Sequence, residues 1–331
     1  MKRVGIGIIG AGFISDTHAR VLRDLRDLAE IRGVFSRSLE KTKFFAEKHG
    51  IPKVYSSLSE LLSDDSVDAV VIATPNYTHK SIAVECAKSG KNIFLEKPIA
   101  LSVEEGREII EEAERNSVKL FIGHVLRFWP EYVKIREIVL SGGVGEPRVA
   151  RVYRLASFPK WTYWHKYMAY SGGVTVDLAI HDIDYLRWVL GPVSKVYAVG
   201  GVYSRHSVDA IDHVMYLLEF ENGSIAYGEA SWAMPDSFPF TTYLEIAGTK
   251  GLATVDNRST RTLWVYTESR VSEEAPLHRD AYYLQMRSFL RWLLFNEPIP
   301  IDPWDALESL RVAIAINESV RRREIVSLRG G

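Results

Sequence analysis

A glycine-rich stretch near the start of the chain has the residue types that can hold a phosphate. Gly10-Ala11-Gly12-Phe13-Ile14-Ser15 follows an apolar run and opens a helical pattern. In such a turn the first glycine permits a tight bend, and the second lets the backbone approach a pyrophosphate that the helix N-terminus stabilises. Ser15 replaces the third glycine of the dinucleotide fingerprint, but a small residue still allows close helix packing. The turn predicts a bound dinucleotide, with contacts from Gly10, Gly12, Phe13 and Ile14.

A second pattern, Asp177-x-x-x-His181, could carry acid–base chemistry. Oxidation of a secondary alcohol needs a general base that titrates near neutral pH, and histidine meets that need. The four-residue spacing places both side chains on one face of a predicted helix. There the carboxylate would fix the imidazole tautomer, or it would hold a second substrate hydroxyl. A lone histidine is more often a helix residue with satisfied hydrogen bonds, so the residues alone leave both interpretations open.

Lys97 follows a predicted strand, and open parallel sheets place their ligands at the carboxyl ends of strands. Its ammonium group could stabilise a developing alkoxide and lower the pKa of His181 or of the substrate hydroxyl. The alternative is a surface lysine paired with Glu96. That alternative is less favoured because Lys97 stands between an apolar strand and Pro98.

The end of the second predicted strand bears on which coenzyme binds. An acidic residue there would accept a hydrogen bond from the ribose 2′-hydroxyl of NAD, but the chain has Ser36, Arg37 and Ser38. A guanidinium group and two hydroxyls suit a 2′-phosphate, so we expect NADP to be favoured over NAD. The alternative is that Ser38 caps the next helix and Arg37 is a solvated turn residue.

Aromatic residues are concentrated between residues 158 and 170. Aromatic faces bind the C–H face of a sugar, and polar groups between them take its hydroxyls. We therefore expect substrate contacts from Trp161, Trp164 and His165. Tryptophan and tyrosine are also enriched where subunits meet, so packing against a partner subunit is an equally good interpretation. Tyr282, ahead of a C-terminal helix, is a weaker substrate-side candidate.

The first part of the chain alternates strand and helix patterns, which predicts a Rossmann-type, doubly wound parallel sheet over residues 1–124. The expected strands are Val4–Ile9, Ile31–Phe35, a weak one near Val54, Val67–Ala73, Asn92–Leu95 and Lys119–Ile122. The expected helices are Phe13–Leu28, Leu39–His49, His79–Ser89 and Val103–Asn116. Together the pattern indicates an α/β dinucleotide-binding domain.

Residues 125–331 show successive strands without crossover helices, which predicts an α+β domain with a large open, mainly antiparallel sheet. The expected strands are Val149–Ala156, Val193–Val202, His213–Phe220, Ser224–Ser231, Thr241–Ala247 and Gly251–Val255. The expected helices are Val174–Leu190, Ala281–Phe295 and Trp304–Arg323. The end of the chain, Glu324–Leu328, is expected to return to the first domain as an edge strand. An exposed sheet face needs covering, which predicts a homodimer or homotetramer through this second domain.

Composition excludes several classes of protein. The formal net charge is -1, so there is no basic field for nucleic acid or a membrane surface. No run of about 18 apolar residues predicts a membrane span. Cys86 is the one cysteine, so no intrachain disulfide can form, and we expect a cytoplasmic protein.

The carboxylates near His181 and His213 are residue types that can bind a metal, but they form no known metal motif, so no metal is expected. A solvated helix start and a strand end explain them better.

Further motifs occur in the order found in a known family. They are Ala73-Thr74-Pro75-Asn76 with His79, Glu96-Lys97-Pro98 at the end of a fifth predicted strand, and Ser171-Gly172-Gly173 with Asp177 and His181. With the glycine turn, the chain resembles the Gfo/Idh/MocA family of glucose–fructose oxidoreductase and inositol dehydrogenase over nearly its whole length. Ser15 and Val174 depart from the family pattern, the latter where a third glycine is common.

The resemblance implies an NAD(P)-dependent oxidoreductase acting on a secondary alcohol or carbonyl of a sugar, a polyol or a related small hydroxy compound. It implies that His181 is the acid/base, Lys97 the electrostatic helper, and Asp177 the orienter or a substrate anchor. It also suggests a cis Lys97–Pro98 peptide. Cofactor contacts are expected from Thr74, Pro75, Asn76, His79, Glu96, Lys97 and Arg127, although a structural ion pair is equally plausible for Arg127.

Two other classes of function compete with this one. A non-catalytic nicotinamide-binding regulator or sensor would share the fold, because a fold does not fix a function. A hydrolase or lyase could use a tightly bound NAD transiently, without net reduction. The presence of Lys97, Asp177 and His181 favours an enzyme over a regulator.

Overall fold

In a computed structural model, which describes residues 3–259, 262–274 and 280–328, the chain divides into two units. The first contains residues 3–125 and 280–307, and the second contains the described residues of 126–274 together with 308–328. None of the described helices is long and apolar enough to cross a membrane.

The first unit is built on a five-stranded parallel sheet with the strand order β2-β1-β3-β4-β5. Its strands are β1 (Val4–Ile9), β2 (Ala29–Phe35), β3 (Ala69–Ile72), β4 (Asn92–Glu96) and β5 (Leu120–Gly123). The helices between them are α1 (Phe13–Asp24), α2 (Leu39–His49), α3 (Leu58–Leu62), α4 (His79–Lys88) and α5 (Val103–Arg115). Every residue of β1, β3 and β5 is buried, as expected for parallel strands covered on both faces. The predicted doubly wound sheet is confirmed.

The predicted weak strand near Val54 is wrong. Val54 makes only an isolated parallel bridge to Val34. Two backbone hydrogen bonds form this bridge, from Tyr55 N to Val34 O and from Val34 N to Lys53 O, and they do not continue into a ladder. The sheet therefore has five strands, and Glu96 ends the fourth rather than the fifth. The first helix also ends at Asp24, earlier than predicted.

The second unit is built on a nine-stranded sheet with the order β13-β12-β11-β10-β6-β9-β8-β7-β14. Its strands are β6 (Pro147–Ser157), β7 (Val193–Gly201), β8 (His213–Phe220), β9 (Ile225–Met234), β10 (Thr241–Gly248), β11 (Gly251–Asp256), β12 (Leu263–Thr267), β13 (Val271–Glu274) and β14 (Val326–Ser327). Only β6 and β9 pair in parallel, so the predicted open, mainly antiparallel sheet is confirmed.

The remaining helices follow in chain order. They are α6 (Pro130–Leu140), α7 (Met168–Ser171), α8 (Ile180–Leu190), α9 (Ala281–Phe295) and α10 (Pro303–Arg322). α9 belongs to the first unit, and the boundary between the two units falls within α10. α6, β12 and β13 are not among the predicted elements, although Leu263–Thr267 has the aromatic and β-branched composition of a strand.

The last strand lies in the second unit, not in the first as expected. Val326 and Ser327 pair antiparallel with β7, and Leu328 N donates to Ser194 O at 2.9 Å. An edge strand leaves a row of backbone groups unpaired, and this short segment satisfies some of those of β7. Residues 280–307, with α9, are instead the segment that returns to the first unit.

Candidate functional site

The glycine turn has the geometry that a pyrophosphate needs. Gly10 has a φ of +115°, and a Cβ there would lie 2.3 Å from Ala73 O, so no larger residue fits. A Cβ on Gly12 would meet nothing within 4 Å, so the backbone at the start of α1 is open to approach. Ser15 Oγ accepts from Gly12 N at 3.4 Å and donates to Ala73 O at 3.3 Å. The serine that replaces the third glycine thus holds the turn, and an anion fits at the helix N-terminus beside Phe13 and Ile14.

The segment after β2 offers a cation and no carboxylate. Ser36 Oγ lies 2.5 Å from Thr42 Oγ1, and Ser38 accepts from Lys41 N at 3.4 Å as the N-cap of α2. The helix-cap alternative for Ser38 is therefore what the structure shows. Arg37 is exposed, and its Nη2 donates to Tyr77 Oη at 2.9 Å.

Tyr77 is a candidate that the sequence analysis does not include. It lies in a 3-10 turn, Asn76–Thr78, in the segment between β3 and α4. Since β2 and β3 flank β1 in the sheet, the contact between Arg37 and Tyr77 spans the carboxyl end of β1. That edge, where the strand order reverses, is where doubly wound sheets bind nucleotides. No local pattern marks Tyr77, because its partner is 40 residues away.

The segment after β3 holds Thr74, Pro75, Asn76 and His79. Asn76 is buried, and His79 is fully buried. His79 Nδ1 lies 2.7 Å from Pro98 O, and Nε2 lies 3.0 Å from Thr74 O. Burial lowers the pKa of the His79 imidazole, against the opposing effect of the two carbonyl oxygens. The His79 ring therefore contacts backbone carbonyl oxygens of both the segment after β3 and the segment after β4.

Lys97 stands where the sequence predicts, at the carboxyl end of β4. The Lys97–Pro98 peptide is cis, as expected, and the lysine side chain is half-buried. Glu96 is buried, and its Oε1 lies 2.6 Å from Nε2 of His18 on α1. His18 is also missing from the predicted site, although Ser15, His18, Ala19 and Leu22 follow the spacing of a buried helix face.

Tyr282 lies near the start of α9, in the same unit as the glycine turn. Asp280 caps the helix by accepting from Tyr282 N at 2.8 Å. The Tyr282 ring meets the His18 ring edge-on, with centroids 6.0 Å apart. The structure thus places this predicted substrate contact beside the His18–Glu96 pair.

Asp177 lies in a π-helical turn rather than in the predicted α-helix. The turn is Thr175–Ala179, and α8 begins only at Ile180. Single π-helical turns are rare and frequently occur at functional sites. Asp177 Oδ2 lies 3.5 Å from His165 Nε2, and the other ring nitrogen of His165 makes a short hydrogen bond with Thr162 Oγ1. His165 is therefore a neighbour of the Asp177 carboxylate that the sequence analysis does not include.

The aromatic segment is partly buried and partly open. Trp164 stacks on His165 with centroids 3.7 Å apart, and His165 meets Trp232 edge-on at 5.2 Å. Trp161, in contrast, is 70% exposed. Trp232, on β9, is a neighbour that sequence reasoning missed. The structure brings His165, Trp164 and Asp177 together and leaves Trp161 at the surface.

Carboxylates around His181 are buried, which corrects the expectation of a solvated helix start. Asp182 accepts two hydrogen bonds from Arg154, at 2.9 and 2.8 Å. Asp184 accepts two from Arg127, at 2.8 and 2.7 Å. For Arg127 the structure thus shows the ion-pair alternative. Within the described ranges, His, Cys, Asp and Glu residues form no group that could hold a metal ion.

Two family profiles match the chain. The profile described as "Oxidoreductase family, NAD-binding Rossmann fold" matches residues 4–124, and that of the "GFO/IDH/MocA C-terminal domain" matches residues 132–254. Together these ranges cover more than half of the 331 residues. The chain belongs to the Gfo/Idh/MocA family. It is therefore an NAD(P)-dependent oxidoreductase, in agreement with the fold and the glycine turn.

Relatives of this family member match it along most of its length. The myo-inositol 2-dehydrogenase of Thermotoga maritima is 28% identical over 98% of this chain and 98% of its own. The trans-1,2-dihydrobenzene-1,2-diol dehydrogenase of Mus musculus is 32% identical over 81% of this chain and 78% of its own. The crystal structure of GenD2 from gentamicin A biosynthesis, in complex with NAD, has a TM-score of 0.89 at 29% identity and covers 100% of this chain and 97% of that one.

Proposed function

We propose that this protein transfers a hydride between a nicotinamide coenzyme and the secondary alcohol or carbonyl of a sugar, a polyol or a related small hydroxy compound. The observation that carries the proposal is that two features lie at the carboxyl edge of the same sheet. They are the open Gly10–Ser15 turn and Lys97. Inositol and dihydrodiol dehydrogenases among the relatives support the substrate class. The aromatic segment with its polar side chains supports it independently.

The bound coenzyme supplies the hydride acceptor or donor, and the chain supplies the rest. The Lys97 ammonium group stabilises negative charge on the substrate oxygen. His181 takes the hydroxyl proton in the oxidation and returns it in the reduction. Asp177, held by His165, accepts a hydrogen bond from a second substrate hydroxyl. Of the two roles predicted for Asp177, the His165 contact favours the substrate anchor.

A substrate panel tests this function. Sugars and polyols are incubated with either coenzyme, while both product formation and the absorbance of reduced nicotinamide are followed. We expect product and reduced coenzyme to appear in equal amounts. Product without net reduction would instead indicate hydrolase or lyase chemistry, and tight coenzyme binding without turnover across the panel would indicate a sensor.

We also propose that NADP is favoured over NAD, because Arg37 presents a guanidinium group where a 2′-phosphate would lie. Replacing Arg37 with glutamine should weaken NADP binding about tenfold, since a charge-assisted hydrogen bond is lost, and leave NAD binding nearly unchanged. Calorimetric titration with both coenzymes measures the effect. Lys43→Gln is the control, because it removes an exposed charge from the neighbouring α2. Equal weakening of both coenzymes by Arg37→Gln, or a wild type that prefers NAD, would refute the preference.

Association of the second unit into a homodimer or homotetramer is a further proposal. The open sheet face exposes apolar side chains, among them Val199, Leu217 and Ile225, each more than 50% exposed. Exposed apolar patches of this kind mark interfaces. We expect Leu217→Glu to convert the assembly to monomers in sedimentation velocity at micromolar concentration. Leu140→Glu, at an exposed leucine of α6, should not. A wild type that sediments as a monomer would contradict the proposal.

A cytoplasmic location is the last part of this proposal. It is supported by the single cysteine, Cys86, which is a buried free thiol, as is usual in a reducing compartment. Fractionation of the source cells tests it, and recovery of the protein outside the cytoplasmic fraction would contradict it.

A further inference from the structure

A buried pair links the coenzyme helix to the strand that carries Lys97. His18 on α1 has no exposed surface, and Glu96 at the end of β4 is 6% exposed. Their Nε2 and Oε1 atoms are 2.6 Å apart, although 78 residues separate them in the chain. α1 begins at the glycine turn, and Glu96 directly precedes Lys97. The pair therefore connects the two features that support the proposed function.

The surroundings leave the Glu96 carboxylate little freedom. The His18 ring meets Phe94 and Tyr282 edge-on, at 4.9 and 6.0 Å, so the imidazole is held between aromatic walls. Gly123, on β5, pairs with Glu96 on the neighbouring β4. A Cβ on Gly123 would lie 3.2 Å from Glu96 Oε2. Even a methyl group would thus crowd the second carboxylate oxygen.

The tautomer of His18 follows from its neighbours. Nε2 faces a carboxylate oxygen, so it carries the proton and donates. Among the described residues, Nδ1 of His18 has no hydrogen-bond partner. A buried N–H at Nδ1 would therefore have no acceptor, which is costly. His18 is therefore a single, fixed donor to Oε1 of Glu96.

From this geometry we infer that His18 is a positioning residue for the coenzyme. By holding Oε1, it orients the Glu96 carboxylate so that this group binds the nicotinamide half of the dinucleotide. The inference rests on the proposed function, in which Glu96 is a coenzyme contact. It assigns a role to a residue that does not itself touch the coenzyme.

The test compares two coenzyme fragments in matched variants. Dissociation constants are measured for the coenzyme that the wild type prefers and for its adenosine half, which is 2′,5′-ADP for NADPH or ADP for NADH. His18→Asn should weaken coenzyme binding about tenfold, because its shorter side chain cannot donate to Glu96. Binding of the adenosine half should stay within twofold. His18→Gln, whose amide reaches about as far as Nε2, should restore coenzyme affinity.

Glu96→Gln is a second variant in case His18→Asn does not fold. Its amide oxygen must turn toward the His18 N–H, which leaves an amide NH₂ in place of the second carboxylate oxygen. We expect the same selective loss of coenzyme affinity. If His18 acts through Glu96, adding His18→Asn to Glu96→Gln should cause no further loss.

Several outcomes would overturn the inference while leaving the proposed function intact. One is coenzyme affinity within twofold of the wild type in His18→Asn or, if that variant does not fold, in Glu96→Gln. Another is an equal loss for coenzyme and adenosine half, which would mean general damage to α1. A third is failure of His18→Gln to restore binding. If the wild type binds neither coenzyme, the proposed function fails first, and this inference fails with it.

Discussion

Replacing Lys97 with alanine is expected to lower kcat by about 10²-fold or more while coenzyme still binds. In the proposed reaction the ammonium group stabilises charge that develops only as the substrate hydroxyl loses its proton and the carbon that bears it loses a hydride. Its removal therefore raises the barrier more than it weakens binding of the ground state. The measurement is steady-state kinetics on whichever alcohol the substrate panel identifies, together with a fluorescence titration of the reduced coenzyme.

Two further variants make this result specific. Lys80→Ala removes a lysine of α4 that pairs with Glu108 at 3.0 Å, and it should change kcat less than twofold. His181→Asn removes the proposed acid/base and should lower kcat about as much as Lys97→Ala does. Because residues that act in one step are not additive, the double variant should lose far less than the product of the two single losses. Turnover within severalfold of the wild type in Lys97→Ala would refute the assigned role.

The sequence predicts most of the fold because its strongest signals are local. The strand His213–Phe220 and the helix Ala281–Phe295 have the predicted bounds, since apolar periodicity and flanking residues are properties of the segment itself. The strand near Val54 fails for the opposite reason. Its residues suit a strand, but the neighbouring backbone offers only one bridge, and that depends on tertiary pairing.

For the candidate site, too, local motifs could be predicted and contacts between distant residues could not. The glycine turn and Lys97 could be predicted because each is a short motif at a strand end. The pairs that hold the site could not. His18 with Glu96, Arg37 with Tyr77, and Arg154 with Asp182 are 78, 40 and 28 residues apart. His165 contacts Asp177, which lies in a π-helical turn where the sequence predicts an ordinary helix. In each case the folded chain, not the spacing of residue types, selects the partner.

A second large effect is expected where a buried charge loses its partner. Arg154 and Asp182 are almost fully buried and joined by two hydrogen bonds. Arg154→Met should lower the free energy of unfolding by about 3–5 kcal/mol, because it leaves the Asp182 carboxylate without a counter-charge in the interior. Urea denaturation at neutral pH measures the loss. Arg148→Met, which breaks an exposed pair with Glu146, should change stability by no more than about 0.5 kcal/mol.

The double variant Arg154→Met, Asp182→Leu shows what the pair itself contributes. Removing both charges leaves no buried ion, so most of the lost stability should return. Such recovery would mean that Arg154 serves chiefly to neutralise a carboxylate next to His181, at the start of α8. A double variant no more stable than Arg154→Met alone would show instead that the paired geometry is needed for packing. A single variant as stable as the surface control would show that Asp182 finds another partner or takes up a proton.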